Sequence, residues 1–239
     1  MGRTELVGVA LGREPADIVM KGGRLVNVDT AEIEDGVDVV LKGKRIAVVG
    51  DGRHCIGKGT TVIEAKGKYL TPGLLDAHVH IESSMVTVTQ FARAVLPHGT
   101  TGVFIDPHEI ANVLGMLGVK IMLDEGADLP LKVFVTIPSC VPSAPGLETN
   151  GAEIGPSDVA EGLKWERVVG LGEVMNFPGV LAGDKKTHGE IRAALDRHKV
   201  VEGHAPGLLG RELSAYVAAG IRSDHESLTR EEAIEKLRL

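Results

Sequence analysis

The sequence has 239 residues, of which 43% are hydrophobic and 25% are charged, and its formal net charge is −7. This composition is typical of a globular protein with a sizeable core, and it excludes a disordered or collagen-like chain. Because acidic and basic residues are interspersed, the chain lacks the basic stripe that binding to a nucleic-acid backbone requires. We therefore expect no nucleic-acid partner.

The apolar runs and the cysteines give an expectation about location. The first residues do not form a signal-peptide pattern and no run of about 18 apolar residues occurs, so we expect no membrane partner. Cys55 and Cys140 are too few and too far apart for a disulfide framework, which is typical of a reducing compartment. The expected location is the cytoplasm.

The N-terminal part is predicted to be a small β domain. Residues 1 to about 15 are predicted to form a short helix or arm, and short strand-like segments follow it. Turns such as Gly-Gly, Lys-Gly-Lys and Gly-Asp-Gly separate these segments, as they do in hairpins. We therefore predict an antiparallel, sandwich-like domain over residues 1–70. Its strands are predicted at residues 17–20, 24–28, 37–41, 45–49 and 61–65.

From about residue 69 the pattern changes, because apolar strand-like segments now alternate with helical segments of about ten to eighteen residues. This alternation predicts βα units and a parallel sheet. The predicted strands are 74–80, 102–106, 132–138, 168–174, 200–204 and 221–225, and the predicted helices are 86–96, 110–125, 157–165, 188–198, 209–219 and 230–237.

The predicted fold class is α/β, with an incomplete (β/α)8 TIM-type barrel over residues 71–239. About six βα units are present, whereas eight units close such a barrel. We interpret the chain as the N-terminal part of a longer enzyme or as one piece of a split one. Unpaired strand edges favour association, either as a homo-oligomer or with the missing C-terminal part.

A pair of histidines stands at the end of the first strand of the barrel part. His78 and His80 are two residues apart, so on a strand they share one face with Asp76. Neutral imidazole is a good ligand for zinc, iron and manganese, and both rings could therefore reach one cation. Two buried structural histidines are the alternative, although they explain less well why polar groups line one face of an apolar strand.

Three later residues are placed so that successive strands deliver them to the same end of the barrel. Glu173, His204 and His225 are spaced 31 and 21 residues apart, which matches one βα unit each. We predict that His78 and His80 hold one metal ion, His204 and His225 hold a second, and Glu173 bridges them. The alternative for Glu173 is a buried carboxylate paired with a basic side chain. The glycines of Gly170-Leu171-Gly172 do not form a dinucleotide fingerprint and are interpreted as room for packing around Glu173.

His108 and Glu109 follow the second strand of the barrel part and are the remaining candidates for the active site. At that position they could hydrogen-bond a substrate or move a proton. They could instead cap the next helix. Together with Glu173 they are the predicted catalytic residues.

Four motifs resemble a known family. The His-x-His strand with a later carboxylate and two later histidines resembles the amidohydrolase superfamily. Within it, residues from about Leu11 to the end are similar to the adenine deaminase family of bacteria and archaea. The motifs are PGLLDAHVHIESS at 72–84, DPHEIANV at 106–113, PSCVPSAPG at 138–146 and GEVMNFPGV at 172–180.

This resemblance implies hydrolytic deamination of adenine to hypoxanthine and ammonia in purine salvage, with adenine as the small-molecule substrate. It implies water activated by two divalent metal ions, manganese or iron, with zinc as the alternative, held by His78, His80, Glu173, His204 and His225. Members of the family also carry an aspartate on an eighth strand, which has no counterpart in this chain. We therefore expect the chain alone to be inactive.

Two other functions stay open at this point. One is a cyclic-amide hydrolase of the same superfamily, of the dihydroorotase or hydantoinase type. Glu173 stands where those enzymes carry a carboxylated lysine, which counts against them. The other is a catalytically silent fragment that acts as a binding module.

Overall fold

The computed structural model describes residues 2–239, which form two compact units. The first unit ends at Pro72 and the second begins at Gly73. Met1, the first residue of the predicted arm, lies outside the described residues. Within residues 2–239, no helix combines the length and the apolar character that crossing a membrane requires.

Within residues 2–72, the first unit contains one α-helix, a short 3-10 turn and a five-stranded sheet. The sheet order is β3-β2-β1-β4, and β5 also pairs with β1. Val9, Val19, Val40 and Cys55 are buried together and form its small core. The elements are α1 (Arg3–Ala10), β1 (Ile18–Asn27), β2 (Glu32–Lys42), β3 (Arg45–Gly50), β4 (Thr61–Glu64) and β5 (Tyr69–Leu70).

The pairing in this sheet corrects the prediction of an antiparallel domain. Strand β2 is antiparallel to β1 and β3, whereas β4 and β5 lie parallel to β1. The chain reaches β4 through a longer connection with a short 3-10 turn (Arg53–Cys55), so a tight hairpin does not set its direction. The predicted strands 17–20 and 24–28 are one strand with register shifts next to Gly23. Within residues 2–72 the strands form one sheet and not the two layers of a sandwich.

The second unit alternates strands with helices, and its strands form a parallel sheet in the order β10-β9-β8-β7-β6. Its strands are β6 (Leu74–Val79), β7 (Thr100–Ile105), β8 (Lys132–Ile137), β9 (Val168–Val174) and β10 (Val200–Gly203). Its helices are α2 (Val88–Val95), α3 (His108–Leu114), α4 (Met116–Glu125), α5 (Pro156–Gly162), α6 (Phe177–Ala182), α7 (Lys185–Leu195), α8 (Gly210–Ala218) and α9 (Arg230–Leu237). The predicted α/β class with a partial barrel sheet is confirmed.

The sixth predicted strand, 221–225, does not form, so the sheet has five strands in the described residues. One backbone hydrogen bond joins this segment to β10, from the N–H of Arg222 to the carbonyl of Val201. Side chains replace the rest of the ladder, because Ser223 and Asp224 accept hydrogen bonds from the backbone N–H groups of Gly203 and Ala205. The segment is therefore held beside β10 without becoming a strand.

One predicted helix is also divided. The prediction of a single helix over 110–125 is wrong, because α3 and α4 are separated by Gly115. Gly115 has a φ of +60°, which glycine adopts without the steric cost that a side chain would bring. This break lets the polar start of α3 follow β7 closely while α4 packs on the sheet.

The core of the second unit is built from buried apolar residues on its central strands. Val133, Val135 and Ile137 on β8 and Val168 and Leu171 on β9 are fully or almost fully buried. Strands covered on both faces are expected to be apolar along their whole length. Polar side chains are therefore concentrated where the strands end.

Glu190 on α7 generates a prediction about stability and pH. Its side chain is 1% exposed, its Oε1 has no hydrogen-bond partner, and Lys186 Nζ lies 4.0 Å away. Burial raises the pKa of Glu190 to about 8, and the charge of Lys186 offsets this only in part. An acid with a higher pKa in the folded state binds more protons when folded, so its stabilisation is lost as the pH rises through 8.

We therefore expect Glu190→Gln to have a larger free energy of unfolding than wild type above pH 8. The difference should shrink as the pH falls towards the ordinary value of 4.5. Urea unfolding at a series of pH values measures this, and Glu212→Gln on the exposed part of α8 is the matched control. An identical pH dependence for Glu190→Gln and wild type would contradict the expectation.

Candidate metal centre

The ends of the parallel strands bring five of the predicted side chains into one cluster. His78 lies on β6 and His80 directly after it, Glu173 lies on β9, and His204 directly follows β10. His225 reaches the same place from the segment after α8. Parallel strands end at one edge of their sheet, which is why residues far apart in sequence meet here.

Glu173 lies at the centre of this cluster. Its Oε1 is 3.2 Å from His80 Nε2 and 3.9 Å from His78 Nε2. Its Oε2 is 2.7 Å from His204 Nδ1 and 3.1 Å from His225 Nε2. The rings of His78 and His225 stack with their centroids 3.9 Å apart, so the two pairs adjoin. Each oxygen of one carboxylate thus faces one pair of imidazoles.

The histidines keep Glu173 ionised although it is only 4% exposed. Burial on its own would raise the pKa of Glu173, but hydrogen bonds with His225 and His80 and the charges of the other rings lower it below its usual range. The same contact with Glu173 raises the pKa of His225. The cluster is therefore a charged centre inside a mostly apolar unit.

Hydrogen bonds at the outer nitrogens orient the first two rings. His80 Nδ1 lies 2.7 Å from the backbone carbonyl oxygen of Asp106, and His78 Nδ1 lies 3.4 Å from Glu202 Oε2. A carbonyl oxygen only accepts, so Nδ1 of His80 carries the hydrogen. The two Nε2 atoms, 3.0 Å apart, then turn towards each other and towards Glu173.

The electron-rich atoms that meet in this cluster show whether a cation fits there. Two imidazole lone pairs and a carboxylate oxygen repel one another unless positive charge lies between them, and a proton or a metal ion supplies that charge. The demand for positive charge is visible at His80, whose pKa is raised to about 11 by hydrogen bonds with Glu109 and Glu173. The donor set fits a divalent cation.

Within residues 2–239, two groups of side chains could hold a metal ion, because their ligand atoms lie within 4.8 Å of one another. His78, Glu173 and His225 form one group, and His204, His225 and Glu226 form the other. Imidazole and carboxylate ligands suit zinc, iron and manganese. Glu226 was not among the predicted site residues, although it directly follows His225.

Glu109 and His108 begin α3 beside the cluster. Glu109 Oε2 lies 3.3 Å from His80 Nδ1, and its Oε1 accepts a 2.7 Å hydrogen bond from Ser83 Oγ. Burial would raise the pKa of Glu109, but these two hydrogen bonds outweigh it and lower the pKa to about 2. His108 lies further out: its ring centroid is 6.5 Å from that of His80, and its Nε2 is 2.6 Å from Ser143 Oγ. Burial lowers the pKa of His108.

Sequence reasoning missed two acidic residues that support the cluster. Asp106 is fully buried, and its Oδ2 accepts a 3.0 Å hydrogen bond from the backbone N–H of Glu173. Burial raises the pKa of Asp106 well above its ordinary value. Glu202 contacts His78. Both could have been found from position, because Asp106 directly follows β7 and Glu202 shares a strand face with His204 two residues later.

The glycines before Glu173 are needed for close packing, as the sequence predicts. A Cβ on Gly172 would lie 2.2 Å from Asp106 Oδ2, and one on Gly170 would lie 2.6 Å from the carbonyl oxygen of Val200. The interpretation of these glycines as packing space is confirmed.

Comparison with known proteins defines the class. Residues 69–239 match the model of the amidohydrolase family, and the chain belongs to that family. The adenine deaminase of Moorella thermoacetica is 60% identical to this chain over 236 residues, and that of Mesorhizobium japonicum is 56% identical over 237 residues. The resemblance that the motifs indicate is therefore confirmed. Each match covers 98% of this chain, which spans 39% of the length of these curated relatives.

A solved structure shows the same fold. The N-acyl-D-glutamate deacylase of Bordetella bronchiseptica, determined with zinc and a phosphonate inhibitor, superimposes with a TM-score of 0.64 at 15% sequence identity. The match covers 94% of this chain and 55% of that one. At this identity the likeness shows a common fold alone.

The close contact at Gly172 generates a prediction. We expect Gly172→Ala to lower the free energy of unfolding by about 1–3 kcal/mol, because the added methyl group must displace Asp106 or the backbone of Glu173. Chemical denaturation measures the change. Gly155→Ala is the matched control, since the nearest atom to its new Cβ lies 3.9 Å away. Equal stability of the two variants would show that Asp106 moves aside without cost.

Proposed function

We propose that this chain carries the metal centre of an enzyme that hydrolyses adenine to hypoxanthine and ammonia, in purine salvage. The observation that carries the proposal is Glu173, which directs one carboxylate oxygen at each of two histidine pairs. The names of relatives that are 60% and 56% identical support adenine as the substrate. Because the chain spans only part of those relatives, the proposal concerns the enzyme that contains this chain.

The proposed cofactor is a pair of divalent metal ions, manganese or iron, with zinc as the alternative. His78 and His80 would hold one ion, His204 and His225 the other, and Glu173 would contact both. Cations held there would supply Lewis-acid activation of water.

The chain's own side chains would bind the purine and move protons. Glu173, ionised by its histidine partners, can accept the proton that the attacking water loses and then deliver it to a ring nitrogen of the purine. Glu109 is also ionised and is fixed by Ser83 at the edge of the cluster, where it can accept a hydrogen bond from the exocyclic amine. His108, which burial favours in its neutral form, can hydrogen-bond the ring and is steadied by Ser143.

We also propose that the active species contains further strands. Within residues 73–239, β6 and β10 each pair with one neighbour, so one edge of each is unpaired. The additional length of the relatives supports the presence of a C-terminal part, and association into a homo-oligomer is the alternative. A cytoplasmic location is proposed on the ground that both cysteines are buried free thiols.

The metal proposal is tested by counting ions. We expect the purified chain to bind two equivalents of Mn²⁺, measured by elemental analysis after gel filtration. Glu173→Gln should reduce the bound metal, because the shared carboxylate is lost. His98→Ala, at an exposed histidine before β7, is the matched control for His78→Ala. Metal contents that are the same in wild type, Glu173→Gln and His78→Ala would contradict the proposal.

The reaction is tested with metal-loaded chain, alone and mixed with the C-terminal remainder of the Moorella relative. We expect conversion of adenine to hypoxanthine, followed by ultraviolet absorbance and by ammonia release, in the mixture. Turnover of dihydroorotate or hydantoin without turnover of adenine would assign the cyclic-amide hydrolase. Metal binding without any turnover in the mixture would favour a binding module.

A further inference from the structure

Glu202 on β10 is a carboxylate that contacts the ring of His78. Its side chain is 15% exposed, and its partner is His78, whose Nδ1 lies 3.4 Å from Glu202 Oε2. Among residues 2–239 no lysine or arginine lies within 4.0 Å of it. Burying an ionised carboxylate is costly unless it is paired and hydrogen-bonded. The hydrogen bond with His78 therefore offsets part of the cost of burying this carboxylate.

This contact joins the two outer strands of the sheet. His78 lies on β6 and Glu202 lies on β10, which are the opposite ends of the order β10-β9-β8-β7-β6. The two residues are 124 positions apart in sequence. They meet because the sheet curves and because Glu202 shares the face of β10 that leads to His204.

The chemistry of the contact determines which nitrogen of His78 is free. An ionised carboxylate only accepts, so Nδ1 of His78 carries the hydrogen and Nε2 carries the lone pair. That Nε2 is the atom that faces Glu173 and His80 Nε2. The backbone carbonyl of Asp106 likewise accepts a hydrogen bond from Nδ1 of His80, so that the lone pair of His80 also lies on Nε2. A histidine that ligates a metal usually donates its other N–H to an oxygen in this way.

We infer that Glu202 is a positioning residue, which holds His78 in the tautomer with hydrogen on Nδ1 and directs Nε2 into the centre of the cluster. The consequence for metal affinity rests on the proposed function. The tautomer itself is a property of this chain and is measurable without a metal.

The first experiment measures metal affinity by competition with a chelator, using Zn²⁺ and Mn²⁺. We expect Glu202→Ala to bind about ten- to a hundredfold more weakly than wild type. Glu202→Gln should lose less, because its amide oxygen still accepts from Nδ1 while its charge is gone. Glu212→Ala and Glu212→Gln, on α8, are the matched controls and should bind like wild type. Unchanged affinity in Glu202→Ala would overturn the role in metal binding.

The second experiment reads the tautomer in the metal-free chain. Long-range ¹H–¹⁵N spectra of the His78 ring, recorded at a pH where the ring is neutral, should show hydrogen on Nδ1 in wild type and a mixture of tautomers in Glu202→Ala. Hydrogen on Nε2 in wild type, or an unchanged tautomer in Glu202→Ala, would overturn the inference. The wild-type spectrum keeps the test valid if Glu202→Ala fails to fold, because hydrogen on Nε2 of His78 in wild type overturns the inference by itself.

These two readouts separate the inference from the proposed function. If wild type binds no divalent ion but its His78 tautomer depends on Glu202, the metal proposal fails and the positioning role stands. If wild type binds metal and Glu202→Ala changes neither affinity nor tautomer, the positioning role fails and the metal proposal stands.

Discussion

The arrangement of the second unit depends on one buried carboxylate whose negative charge must be balanced. Glu173 is almost inaccessible, and its negative charge would strongly destabilise the fold without partners. Four imidazoles lie around its two oxygens, and its backbone is fixed on both sides. The N–H of Glu173 donates to Asp106 Oδ2, and its carbonyl accepts a 2.6 Å hydrogen bond from Ser139 Oγ. These hydrogen bonds hold the ends of β7, β8 and β9 in one arrangement around the negatively charged carboxylate of Glu173.

Side chains, in addition to the pairing of β10 with β9, hold His204 and His225 in place. Tyr216 OH donates to the carbonyl of Val174 and accepts from the backbone N–H of His204, which ties the end of β10 to β9. Lys236 Nζ donates to Asp224 Oδ2 and to the carbonyl of Ala205. Helix α9 thus links the loop after His204 to the segment before His225. This explains how His225 reaches Glu173 although its segment is not a strand.

Much of the fold follows from local sequence patterns. The change from hairpin turns to alternating strands and helices marks the boundary between the first and the second unit. The apolar runs of β8 and β9 correctly indicate that these strands are buried. The prediction that all strands of the first unit are antiparallel is wrong, because β4 and β5 pair in parallel with β1, which lies far away in sequence. The missing sixth strand depends on whether a neighbour is present to complete a hydrogen-bonded ladder, and no local pattern reports that. The helix predicted over 110–125 is divided because Gly115 adopts a positive φ in the folded chain.

The sequence by itself determined which side chains stand at strand ends, because alternation along a strand and the spacing of βα units place His78, Glu173 and His204 there. It also determined the family, through motifs too long to arise by chance. Only the tertiary structure decided how these groups face one another. Which carboxylate oxygen meets which ring, and the contacts of Asp106 with Glu173 and of Glu202 with His78, depend on the curvature that brings distant strands together.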